Sequence, residues 1–207
     1  MSSVKIKLYL NIIFLLVMGA VFGQKTTNFD REIADFQTEL NAEYGSPETT
    51  VLLPEDFENF HGLEFYDIDS TYRVKARFVR TPDEKPFAMA TTTDRKPMYF
   101  KYGEARFTLK GKELKLNLYK SVEPYKEPGY EDYLFLPFTD LTSGDGSYGG
   151  GRFIDMRIPD GDEIFIDFNK AYNPYCAYSP KYSCPITPAV NDLQVRVEAG
   201  VKDFKAH

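Results

Sequence analysis

The stretch Met98 to Leu118, MYFKYGEARFTLKGKELKLNL, sets the fold class. Met98, Phe100 and Tyr102 alternate with Tyr99 and Lys101. Ala105, Phe107 and Leu109 follow Gly103, and Leu114, Leu116 and Leu118 follow Lys110-Gly111-Lys112. A period of two puts alternate side chains on one face of a strand, and close turns between such runs predict an antiparallel meander. The alternation recurs in Tyr72 to Val79 and in Leu193 to Val197, with a further strand expected over Phe87 to Thr92. Tyr133 to Phe138 is apolar throughout and reads as a strand buried on both faces. Arg152 to Ile158 and Glu163 to Phe168 add two more, joined by Pro159-Asp160-Gly161-Asp162. About nine strands with few helices predict a mainly β, single-domain antiparallel sandwich or barrel. No long helical pattern separates the strands, which excludes a βαβ reading.

The strands are preceded by a helix. Phe29, Ile33, Phe36 and Leu40 recur at intervals of three and four over Thr27 to Tyr44. Thr27 or Asn28 can cap it, and Gly45 with Pro47 stops it. Leu53 to Phe60 predicts a second short helix with Pro54 in its first turn. The expected organisation is a signal peptide over 1–23, a helix and linker over 24–50, and a β-rich domain over 51–207.

Met1 to Gly23 has the make-up of a secretory signal peptide. Lys5 and Lys7 form a basic start, Leu8 to Phe22 is apolar apart from Tyr9, Asn11 and Gly19, and Val21 and Gly23 suit a cleavage site before Gln24. The apolar run is short for a membrane span, which needs about 20 residues. The alternative is an uncleaved N-terminal anchor. The segment carries two lysines and no acid, so its removal takes the net charge from −6 to −8. An acidic chain without a basic stripe argues against nucleic acid as a partner. The expected location is periplasmic or extracellular.

The last third holds the candidate chemistry. Gly144-Asp145-Gly146-Ser147-Tyr148-Gly149 matches G-x-G-x-x-G, but Arg152 to Ile158 after it alternates like a strand. Without a following helix N-terminus there is no amide cluster for a pyrophosphate. The glycines serve tight turning or close approach instead. Cys176 and Cys184 are the only cysteines, and an even count in an exported chain predicts a disulfide. The rivals are a redox pair and a thiolate metal site. The spacing is not C-x-x-C, and no further thiols complete four ligands. His61 is the only histidine before His207, and neither Ser143 nor Ser147 sits in a nucleophile elbow, so a Ser/His/Asp triad is not expected. No metal site and no cofactor are expected.

Carboxylates remain as catalytic candidates. Asp140, Asp145, Asp155 and Asp167 flank the glycine loop, and a converging pair would suit glycoside hydrolysis or calcium. Tyr148, Tyr172, Tyr175, Tyr178 and Tyr182 supply stacking platforms or a protective rim for the cysteine region.

The blocks T-S-G…Y-G-G-G-R over 142–152, D-F-N-K-A-Y-N-P-Y-C-A-Y over 167–178 and S-C-P…N-D-L over 183–193 resemble the domain of unknown function 1684 family. The resemblance reaches back to Tyr72-Arg73-Val74 and covers most of the chain after the signal peptide. It implies that Asp140, Thr142, Ser143, Gly144, Tyr148, Gly149, Gly150, Gly151, Arg152, Asp155, Asp167, Asn169, Tyr172, Asn173, Cys176, Cys184 and Asn191 belong to the family block. This chain departs from the family pattern at Asp145, Asp192 and Val201, and the resemblance brings no established activity.

Arg152 among these acids has two readings. It pairs structurally with Asp155 or Asp167, which is favoured, or it clamps a ligand carboxylate or phosphate. The expected function is binding of a small ligand or an envelope partner through residues 140–184. The candidate ligand residues are Asp140, Ser143, Tyr148, Arg152, Asp155, Asp167, Asn169, Tyr172 and Asn173. A carboxylate-dependent hydrolase and a purely structural envelope protein are the alternatives.

Overall fold

The computed structural model describes residues 27–126 and 128–204. The segment read as a signal peptide lies outside the described residues. The helices are α1 (Asn28–Gly45) and α2 (Pro54–Phe57). The strands are β1 (Arg73–Arg80), β2 (Phe87–Ala88), β3 (Met98–Leu109), β4 (Lys112–Ser121), β5 (Tyr133–Asp140), β6 (Arg152–Arg157), β7 (Glu163–Asp167) and β8 (Asp192–Leu193). They form one sheet in the order β6-β5-β4-β3-β1-β7, with β2 on β3 and β8 parallel to β5. The sheet curls into an antiparallel half-barrel. Of the two expected architectures the structure is the barrel, left open.

The alternation decides which side chains enter the curl. In β1, Val74, Ala76 and Phe78 are buried and Arg73, Lys75 and Arg77 are exposed. They join Phe107, Leu116, Leu118, Leu134, Leu136, Phe138, Ile154, Met156, Ile164 and Ile166 in the main core. The chain after β8 runs through the same core with Val195, Val197 and Ala199 buried. This last alternating run is an inserted segment that bends at Gln194 and Val195; only Asp192–Leu193 pairs as a strand. β5 is buried on both faces because Tyr133 and Phe135 point the other way, into a second cluster with Met89, Tyr119 and Phe153.

Three expectations change. Gly103 does not turn the chain: β3 continues for 12 residues with a bulge between Lys101 and Gly103. A Cβ at Gly103 would stand 2.4 Å from the Phe78 ring, so the glycine lets the neighbouring strand's aromatic lie against the backbone. The true turn is Lys110-Gly111, both at positive φ, which suits a tight hairpin between β3 and β4. The strand expected over Phe87 to Thr92 shrinks to β2, and the helix over Leu53 to Phe60 to the single turn of α2.

α1 begins with a capping box. The Asp30 amide donates to Thr27 Oγ1 at 3.0 Å, and the Thr27 amide donates to the Asp30 carboxylate at 2.8 Å. Such a cap contributes about 1 kcal/mol. Ile33 and Tyr44 are fully buried, with Tyr44 packed on Tyr178 in a third cluster that seats the helix end on the 172–182 segment. Among the described residues, no helix is long and apolar enough to cross a membrane.

Candidate functional site

The candidate residues fall into separate groups, and only Asp155 and Asp167 line a common cleft. Their placement follows from strand alternation. Arg152 shares the inward phase of β6 with Ile154 and Met156, whereas Asp155 takes the outward phase. Arg152 therefore cannot pair with Asp155, and it does not pair with Asp167. Its partner is Asp140 at the end of β5, 3.3 Å away, with both side chains sealed from solvent. Its two terminal nitrogens also donate to carbonyls of the inserted tail, Val197 at 2.8 Å, Val201 at 3.4 Å and Ala199, and to the Thr142 hydroxyl at 3.3 Å, while Nε is buried without a hydrogen-bond partner. Asp140 in turn accepts from the Val197 amide at 2.6 Å and the Thr142 hydroxyl at 2.8 Å, while the Ser143 hydroxyl lies against it at 3.4 Å. Burial pulls the Arg152 pKa down and Asp140 opposes that pull. The cluster is a closed knot that fastens the tail inside the half-barrel. It is not a clamp open to a ligand.

Three other candidates are also fasteners. Asp167 Oδ1 accepts from the Asn169 amide at 3.0 Å and from Asn169 Nδ2 at 2.9 Å. Asn169 exchanges two hydrogen bonds with the backbone of Asp69, and so pins the chain leading into β1. Asn173 donates to the Lys202 carbonyl at 2.9 Å. Asn191, buried in the family block, stitches β4 to β5: it accepts from the Asn117 amide and donates to the carbonyls of Asn117 and Pro137.

Asp155 and Tyr172 behave differently. Asp155 is exposed on the outer phase of β6, and its Oδ1 accepts from Tyr133 at 2.7 Å and Tyr172 at 2.6 Å. Burial first, then the nearby acid and tyrosines, pushes both phenols up, so both stay protonated donors. Tyr125 and Tyr130 pack on Tyr133 with ring centroids 4.9 and 5.5 Å away. The carboxylate thus projects from an aromatic bed. Among the described residues no cation lies within ion-pair distance of it.

The open seam of the half-barrel makes a cleft beside Asp155. Among the named strands β6 pairs only with β5 and β7 only with β1; beyond the Phe153–Tyr172 bridge on the outer edge of β6, the two strands line a gap of about 420 Å³. Asp155, Arg157 and Asp160 line one side, Glu163, Phe165 and Asp167 the other, and Glu32, Arg73 and Lys170 close one end. Glu32 from α1 binds Arg73 at 2.9 Å and Lys170 at 2.6 Å, and these contacts, Lys170 first, hold its carboxyl below the usual range. Arg157 pairs with Asp132 at 2.7 Å. Each cation of the cleft already has an acid partner, so its unmatched charge is negative. Glu32, Arg73 and Lys170 were not readable as site residues, because nothing in an exposed strand cation or a helix glutamate marks a shared cleft.

Tyr148 and the cysteines form a separate group. The expected disulfide is absent: both cysteines are free, with the Cys176 amide donating to Cys184 Sγ at 3.1 Å. Tyr148 Oη lies 3.9 Å from Cys176 Sγ. His61 lines a different depression with Glu55, Asp56 and Asn59, away from Ser143 and Ser147. The glycine loop turns as expected and opens no helix; Gly151 at φ +89° brings the Phe138 carbonyl to 2.5 Å from where a Cβ would be. Asp145, where the family pattern differs, is held by Arg196 at 2.6 Å on the surface.

This architecture is found in known proteins. The family described as "Protein of unknown function (DUF1684)" matches residues 58–202, and the chain belongs to it. A solution structure of an uncharacterized protein from Haloarcula marismortui is 32% identical, covers 86% of this chain and 96% of its own, and superposes with a TM-score of 0.67. No curated protein matches the chain.

Proposed function

We propose that this is an exported binding protein that takes a small polar ligand bearing an amine or other cationic group in the seam between β6 and β7. The observation that carries the reading is Asp155: a family-block carboxylate, exposed, without a cation, bedded on Tyr133 and Tyr172 at the wall of the cleft. A carboxylate suits an ammonium, which gains from the charge and from the Phe165 ring in the same lining. Export rests on the residue pattern of 1–23 and the acidic balance of the remainder.

A hydrolase would need two carboxyls free to move protons. Asp167, the other family-block acid in the cleft, is engaged by Asn169 and lies 3.9 Å from Arg73, which favours binding over catalysis. The test is a thermal-shift panel of small amines, carboxylates and neutral sugars. Amines are expected to raise Tm in the native protein and not in Asp155→Asn. Stabilisation by carboxylates alone would overturn the reading.

A further inference from the structure

The thiol group has a construction that a packed cysteine pair does not need. Cys184 is buried at 6% exposure, and the chain around it is fixed to the 91–95 loop. Its amide donates to Thr92 Oγ1 at 3.1 Å, its carbonyl accepts the Thr92 amide at 2.9 Å, and Arg95 holds the Ser183 carbonyl at 2.8 Å. Cys176 sits on the short turn Tyr175–Ala177, half-buried and therefore open to small molecules. The Cys176 amide donates to Cys184 Sγ at 3.1 Å, so the two residues are already neighbours before any oxidation. The Tyr148 hydroxyl lies 3.9 Å from Cys176 Sγ, and a donor of this kind stabilises a thiolate.

We propose that Cys176 and Cys184 form a redox-active dithiol in which Cys176 is the nucleophile that meets a hydroperoxide and Cys184 resolves it. In the first step the Cys176 thiolate attacks one peroxide oxygen. The O–O bond breaks, Cys176 becomes a sulfenic acid, and the released hydroxide or alkoxide takes a proton. In the second step the Cys184 sulfur displaces hydroxide from Cys176 sulfur. The S–S bond forms, and the displaced hydroxide leaves as water with the Cys184 proton. The dithiol loses two electrons and two protons, and the peroxide is reduced by the same two electrons. The assignment of roles follows from access and from charge. Cys176 is the less buried member, and its pKa is brought down to about 6, first by the Cys184 hydrogen bond and then by Tyr148, against the opposing effect of burial. Cys184 is pushed up by the same hydrogen bond and by burial, so it keeps its proton until the second step. Tyr148 is a positioning residue that donates to the thiolate.

The experiment uses the full chain after its signal segment, reduced and then freed of reductant, with hydrogen peroxide as the probe and intact mass as the readout. The native protein is expected to lose two hydrogens, to resist alkylation afterwards and to recover on reduction. Cys184→Ser should instead gain one oxygen and be trapped by dimedone, and Cys176→Ser should react about tenfold more slowly or less. Tyr148→Phe should keep the same product while its alkylation profile shifts to higher pH, which a merely structural tyrosine would not cause. Equal reactivity of the two serine variants, or a native protein that peroxide leaves as a dithiol, would overturn the proposal.

Discussion

Asn191 Nδ2 donates to the Pro137 carbonyl at 2.6 Å, deep between two strands. Pro137 has no N–H to offer its neighbour, and β4 and β5 share only the register pair Tyr119 and Phe135. The asparagine supplies what the ladder lacks, with two further bonds to the Asn117 backbone. A family-block residue thus closes a gap that a proline opens.

Replacement of Asn191 by Ala should therefore be costly. It leaves three buried backbone groups without partners, at about 1–3 kcal/mol each before relaxation. Urea unfolding should show a loss of at least about 3 kcal/mol, and Asn191→Asp should not rescue it, since a carboxylate cannot donate. A change under about 0.5 kcal/mol would show that β4 and β5 hold together without it.

The Arg152–Asp140 pair predicts a stability effect with no binding effect of its own. Asp140→Asn leaves a buried guanidinium uncompensated and should cost about 3–5 kcal/mol. The double change Asp140→Leu with Arg152→Met should cost less than the sum of the singles in chemical denaturation. If Arg152→Lys folded normally and lost only ligand, the knot would be a binding clamp after all.

Reduced protein should show a pH dependence set by the thiols. The Cys176 pKa falls from an ordinary value near 9 to about 6 in the folded state. A depressed acid contributes stability that is present above the unfolded pKa and lost as pH falls through the folded one. Stability should therefore rise from pH 6 toward 9. Cys184, pushed up, acts in the opposite direction, and its contribution fades above 9. Urea midpoints with reductant present should show the rise, and Cys176→Ser should flatten it. A flat native profile would mean that the sulfurs do not share a proton.

Tyr133→Phe and Tyr172→Phe test the bed under Asp155. Each removes one donor from the same oxygen and should lower stability by about 1 kcal/mol. The two effects should be non-additive in a double-mutant cycle, because both act through one carboxylate. Simple additivity would separate the tyrosines.

Much of the fold was legible in the sequence because burial and alternation act locally. The Val74, Ala76 and Phe78 phase was readable, and so were the continuous burial of Tyr133 to Phe138, the Thr27 start of α1 and the false dinucleotide motif. Gly103 misled because a glycine that admits a neighbouring ring looks the same as one that turns the chain. The site was less legible. The alternation that put Asp155 opposite to Arg152 was available, yet closeness in sequence suggested a pair. Asp140, twelve residues earlier, meets Arg152 only because β5 and β6 pair at Phe138 and Arg152. The open seam depends on how the sheet closes, and strand periodicity carries no information about that.

The β6–β7 seam is proposed to bind a cationic ligand through Asp155. This binding is tested most directly by amide NMR titration with a simple alkylammonium salt, using acetate as the contrasting probe. Shifts should gather on Asp155, Arg157, Ile158 and Phe165 with the ammonium and disappear in Asp155→Asn. Shifts produced at these residues by acetate instead, or ammonium shifts unchanged in Asp155→Asn, would contradict it.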